Sequence, residues 1–317
     1  NEDGELDVRD SQGLVDELGK RIDDLVKLRV AAENSNLHPE HLLLNRLTQP
    51  IPDMDTARVK KARYRELPIS DNPELVNEPM VGLSAYGISG QSYYSRDNKA
   101  TGEALPGVPK EVMVRESLAN VLQTINEQLD SPTITAFFGG EVELYAEEGF
   151  RSRHIQKHLY DTVLPELIAK NHPGLDQQAR DEIQNNMIAK PSEPGQTPSP
   201  HETGAALDIV LRYKQDSHLF AAGSHVPLGF NDGDTGAIVE PDFYETRRPD
   251  IDGSDNAKLF RRAFYNIMTG RAFGGNTGLV NNPTEIFHWG YGDQLSSKVL
   301  GNKTARYGYP NELPYER

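Results

Sequence analysis

The chain has no cysteine. Disulfides, thiolate nucleophiles and every cysteine-based zinc site are therefore excluded, and any bound metal must rest on His, Asp or Glu. It also lacks a long apolar run: none approaches the ~18 residues a membrane-spanning helix needs, and the N-terminus has no basic, apolar, small-residue leader pattern. Basic residues are in deficit, 33 Lys and Arg against 48 Asp and Glu, for a formal charge of −15. Such a surface repels phosphate backbones, and with no basic patch in the sequence a nucleic-acid partner is not expected. The first residue is Asn1 rather than Met, which leaves a removed export signal, and a periplasmic or extracellular location, open beside a cytoplasmic one. What is present is 317 residues, enough to bury about three quarters of the unfolded surface in one large domain or two small ones.

Leu14, Leu18, Ile22, Leu25, Val26 and Leu28 recur at three- and four-residue steps, which predicts an amphipathic helix from Ser11 to about Asn34. A second short helix, His38 to Leu47, ends at the Pro50-Ile51-Pro52 break. Together they form an N-terminal helical arm over residues 1–50, expected to pack on the main body of residues 51–317. Pro, Gly, Asn and Ser between Pro52 and Pro109 predict loops and short strands. A helix is expected over Glu111–Leu129, an extended segment over ITAFFGGEVELYAEEGF and a helix over Ser152–Lys170. A Pro-rich loop over Pro191–Pro200, a strand over Ala205–Leu211, a helix over Lys258–Thr269 and an aromatic strand near Ile286 follow. Strands and helices without regular alternation favour an α+β fold.

Within SPHETGAALDIVL, Asp208 stands alone in an apolar run that should be buried, and a buried carboxylate needs a cation, a metal or a dense set of donors. His201, seven residues earlier, is a candidate co-ligand. A turn cap or an Arg partner for Asp208 accounts for it equally well. In NPTEIFHWGYGDQ, Glu285 and His288 lie among aromatic residues. If His288 is a third ligand, the His, Asp, His set leaves one position for water, as in a catalytic zinc site, and Glu285 is free to act as base. Taken alone, His288 reads as a hydrogen-bonded core histidine. Arg151 falls where an extended segment runs into a helix, with its guanidinium available to a developing oxyanion or to a surface ion pair. His154 and His158, four apart on that helix, are a rival metal pair, but no HExxH glutamate accompanies them.

The stretch SPHETGAALD, with Ser199, His201, Gly204 and Asp208 in place, and the later EIFH resemble the paired motifs of the zinc D-Ala-D-Ala peptidases. The resemblance covers roughly 111–295 and is greatest to the D-alanyl-D-alanine dipeptidases of the vancomycin-resistance type. It implies a small antiparallel sheet flanked by helices, as in the Hedgehog/DD-peptidase fold, and a small peptide as substrate. It further implies one zinc ion on His201, Asp208 and His288, with Glu285 as general base, Arg151 stabilising the transition state and Ser199 beside the substrate. Asp232 or Asp234, in GFNDGDTG, would hold the substrate's free amino group. Two departures bear on specificity: Ile286 and Phe287 stand where the dipeptidases carry tryptophans, and Ser152 stands where they carry a proline. A D,D-carboxypeptidase or peptidoglycan endopeptidase would use the same metal centre, and a non-catalytic zinc-bearing binding module would share its ligands. Glu285 and Arg151 argue against the last. An acidic scaffold recruited through the helical arm would leave Asp208 unexplained.

Overall fold

The computed structural model describes residues 39–52, 64–97, 103–193, 195–214, 256–282 and 285–311; the side chains of residues 186, 187, 256, 257, 285 and 286 lie outside that description. The expected helix over Ser11–Asn34 and the loop carrying Asp232 and Asp234 also lie outside it.

Among the described residues the architecture is α+β, built on a five-stranded sheet in the order β2-β4-β5-β7-β6. Its strands are β2 (Ser89–Gly90), β4 (Val142–Glu148), β5 (Ala206–Tyr213), β6 (Val280–Asn282) and β7 (Glu285–Gly290). All neighbours are antiparallel except the short edge pair β2 and β4. A separate antiparallel ribbon, preceded by the short helix α2 (Pro73–Val76), joins β1 (Met80–Gly82) to β3 (Met113–Arg115).

One face of the sheet forms the core. Strand side chains alternate between faces, and Leu207, Ile209 and Leu211 of β5 join Val142, Leu144 and Ala146 of β4 and Trp289 of β7 in a single apolar cluster. The same cluster takes in Leu118, Leu122 and Ile125 of α3 (Glu116–Gln128), Phe137 and Phe138 of α4 (Pro132–Phe138), and Phe260, Phe264 and Ile267 of α8 (Asn256–Met268). Phe138 stacks on Phe260 with ring centres 5.8 Å apart, and Phe264 meets Trp289 edge-on at 5.8 Å. Helix α1 (Pro39–Leu47), the described part of the N-terminal arm, contributes Leu44 and Leu47 to that cluster. It is fastened to α8 by Asn266, whose amide donates to the carbonyls of Leu47 and Gln49 at 3.1 and 2.9 Å.

Two local expectations are corrected. The ITAFF segment is helical rather than extended: Pro132 occupies the first turn of α4, and Gly139 ends it in the left-handed conformation at φ 75°. The stretch expected to be helical from Glu111 begins instead as β3, because Met113 and Val114 pair with Gly82 and Val81. The helix expected over Ser152–Lys170 is present: capped by Ser152, it runs as α5 (Arg153–His158), a π turn (Leu159–Val163) and α6 (Leu164–Asn171), and α7 (Gln177–Met187), capped by Asp176 and not expected from the sequence, follows it.

Candidate metal centre

The other face of the sheet carries the chemistry. Antiparallel register sets Asp208 of β5 opposite His288 of β7, and Glu148 of β4 opposite Asp208. His201 arrives from the turn that precedes β5, a 3₁₀ segment (His201–Thr203) closed by Gly204 at φ 69°. That left-handed conformation suits glycine and lets the chain pass from the turn into the strand within one residue.

Three donor atoms converge here. Nδ1 of His288 lies 3.0 Å from Oδ1 of Asp208 and 3.1 Å from Nε2 of His201, and Nε2 of His201 lies 3.4 Å from the same Oδ1. Ligands of a tetrahedral ion with bonds of about 2.0–2.1 Å stand about 3.3–3.4 Å apart, so this triangle has the size of one tetrahedral face. The tautomer of His201 also fits. Its Nδ1 donates to the carbonyl of Gly149 at 2.9 Å, which leaves the lone pair of a neutral ring on Nε2, facing the other two donors. Gly149 can come this close because it has no side chain: a Cβ there would lie 2.3 Å from the carbonyl oxygen of Met113. Burial opposes ionisation of Asp208, and the two histidines reverse that, holding its carboxyl below the usual carboxylate range. Among the described residues these three form the single group of His, Asp or Glu side chains placed to hold a metal ion. His154 is exposed and belongs to no such group.

Arg151 is buried beside the triangle, and its backbone N–H donates to the carbonyl of His201 at 3.1 Å. Burial pulls its pKa down, but the Glu148 carboxylate more than offsets this and holds it above the ordinary arginine value. The guanidinium lies over the ring of Tyr94, 5.3 Å from its centre. A small hollow beside it is lined by Val108, Pro109, Glu148, Phe150, Arg151 and Ile155, and by none of the three converging donors. Ser199 is buried, and its hydroxyl has no hydrogen-bond partner among the described residues; its N–H donates to Glu202 Oε2 at 2.6 Å. The backbone of Glu285 opens β7 opposite Asn282, while its side chain, like Asp232 and Asp234, lies outside the described residues.

Sequence reasoning missed three supporting residues. Arg115 donates from Nε to the carbonyl of Thr203 at 3.0 Å and from its other nitrogens to the carbonyls of Glu78 and Gly308, clamping the His201 turn from below. Gln156 and Glu148 both grip Arg151. A long-range hydrogen bond leaves no periodic trace in a sequence; of the three, only Arg115, directly after Val112, Met113 and Val114, stands out as a charge beside an apolar run.

The fold and the converging donors define an α+β domain whose sheet presents a His-Asp-His cluster beside a buried arginine. A scan of protein-family models finds no match. Over 190 residues the chain is 30% identical to the D-alanyl-D-alanine dipeptidase of Synechocystis sp., an alignment spanning 55% of this chain and 70% of that protein. The chain belongs to the D-Ala-D-Ala peptidase family. Among solved structures, it matches a vancomycin-resistance D,D-pentapeptidase in complex with Zn(II) at 14% identity and a TM-score of 0.31, covering 68% of this chain and 94% of that one.

Proposed function

We propose that the protein is a zinc-dependent peptidase that hydrolyses small D-amino-acid peptides of cell-wall metabolism, D-Ala-D-Ala foremost. The observation that carries this reading is the triangle of His201 Nε2, Asp208 Oδ1 and His288 Nδ1, with edges of 3.0 to 3.4 Å. Its two imidazoles and one carboxylate suit zinc, and three protein ligands leave a fourth position for chemistry. Bound there, zinc would polarise the scissile carbonyl and lower the pKa of a water from ~15.7 towards ~7.

Every other role falls to the chain's own groups. Glu285, three residues before His288 on the same strand, takes a proton from the attacking water and delivers it to the leaving amine as the C–N bond breaks. Arg151 presents N–H donors to the carbonyl oxygen as its negative charge develops. Ser199 lies by the substrate, and Asp232 or Asp234 pairs with its free ammonium group. Family membership supports the substrate class.

The test is a comparison of substrates. If a carboxylate holds the ammonium group in a partly desolvated pocket, capping that group leaves a buried charge unpaired. Free D-Ala-D-Ala should then be cleaved at least ~10²-fold better in kcat/KM than its N-acetyl form. Equal or better cleavage of acetylated or longer peptides would replace the dipeptidase reading with a carboxypeptidase or endopeptidase one. Zinc binding without cleavage of any of them would leave a binding module.

A further inference from the structure

Strand β4 breaks its alternation at one point, and the break re-aims a charge. Val142, Leu144 and Ala146 face the core, so unbroken alternation would send Glu148 there too. Instead the register slips between Ala146 and Glu148: Ala146 pairs with Ile209, and Glu148 pairs with Asp208. The extra residue is a β-bulge, a device that turns a side chain to the opposite face. Its result is a buried carboxylate in the cross-strand row that contains Asp208 and His288.

That carboxylate is engaged along its whole edge. Its Oε1 accepts from Nε of Arg151 at 2.9 Å and its Oε2 accepts from Nη2, a side-on pairing that fixes the plane of the guanidinium. Gln156 accepts from Nη1 at 2.8 Å, and its own amide is oriented by donating to the carbonyl of Ala189 at 2.5 Å. Three of the five N–H donors of an arginine are thereby committed. Among the described residues the other two, both on terminal nitrogens, meet no acceptor. A free arginine side chain would sample many rotamers and would carry an uncompensated charge next to a site suited to a dication.

We propose that Glu148 is a positioning residue for the reaction, acting through Arg151. It holds the guanidinium in one orientation with two N–H groups free for a substrate oxygen, and it neutralises the arginine's charge beside the metal site. This rests on the peptidase reading above.

Glu148→Gln tests it, because the carboxamide keeps the volume but can accept from only one of the two donors and sets an NH₂ against the other. Expected for the zinc-loaded variant is a fall in kcat of about 10–100-fold, the usual effect of removing a group that orients a working one, with KM and bound zinc within about twofold of the parent. Glu148→Asp should retain more activity than Glu148→Gln. In an Arg151→Ala background, Glu148→Gln should cause no further loss. Equal losses in both backgrounds, or parent-like kcat in the single variant, would overturn the proposal. A second readout needs no turnover: the Nε–H proton of Arg151 should exchange slowly in the full-length parent and at least about tenfold faster in Glu148→Ala, where neither carboxylate acceptor remains, a factor equivalent to about 1.4 kcal/mol. Unchanged exchange would also overturn it. A parent that cleaves no peptide would count against the function proposed above, and the exchange measurement would still decide the role of Glu148.

Discussion

Asp208 and His288 face each other across two antiparallel strands, with Oδ1 and Nδ1 3.0 Å apart. Two of the three converging donors are therefore placed by sheet register, and the third by a turn that Arg115 and Gly149 hold against the same sheet. Donors set on rigid elements need little rearrangement to bind an ion.

Asp208→Ala should lower zinc affinity by more than about 100-fold, since losing a ligand exceeds the about 10–100-fold cost of losing an outer-shell partner. Competition with a chromogenic chelator measures this. Affinity within tenfold of the parent would show that the ion sits elsewhere.

Leu207 lies opposite Trp289 on the core face, directly beside Asp208 in sequence. Leu207→Ala should destabilise the fold by about 2–5 kcal/mol, through lost burial and the cavity left behind. Trp289 is the chain's one tryptophan and is fully buried, so its fluorescence in urea reports the transition. A change in midpoint worth less than about 1 kcal/mol would contradict this packing.

Tyr307 anchors the C-terminal segment by donating to Glu78 Oε2 at 2.6 Å, with Ser117 Oγ 2.7 Å from its hydroxyl. Burial, and then the hydrogen bond to Glu78, push its pKa up to about 12. The folded state therefore favours the protonated phenol more than the unfolded chain does, whose value is about 10. Its contribution is fully present below about pH 10 and is lost as pH rises towards 12. Tyr307→Phe should cost about 1 kcal/mol at neutral pH and flatten the decline in stability between pH 10 and 12. Identical alkaline profiles for parent and variant would refute this.

Much of the site was legible because its residues lie close together in the chain. SPHETGAALD carries His201 and Asp208 on one turn and the strand after it, and the lone carboxylate in an apolar run drew attention to itself. His288 could be joined to them through its motif, but the register that puts it opposite Asp208 is a property of two strands 80 residues apart and appears in neither alone. Glu148 was hidden for the same reason: a bulge exists only relative to a partner strand. The helix over Pro132–Phe138 was misread because Ile, Thr and Phe favour strands, although Pro132 and Gly139 carried the correct helix-end signals. The helix over Gln177–Met187 has few apolar residues in QQARDEIQNNM, so it offered little periodicity to detect.

The most direct test of the central claim pairs metal analysis with hydrolysis of D-Ala-D-Ala for the parent and Glu285→Ala. The parent should bind one zinc per chain, lose turnover on chelation and regain it when zinc is restored. Glu285→Ala should bind the same single zinc while kcat falls by at least ~10²–10⁴, the contribution of a general base. Full turnover in the chelated parent, or parent-like turnover in Glu285→Ala, would contradict the claim.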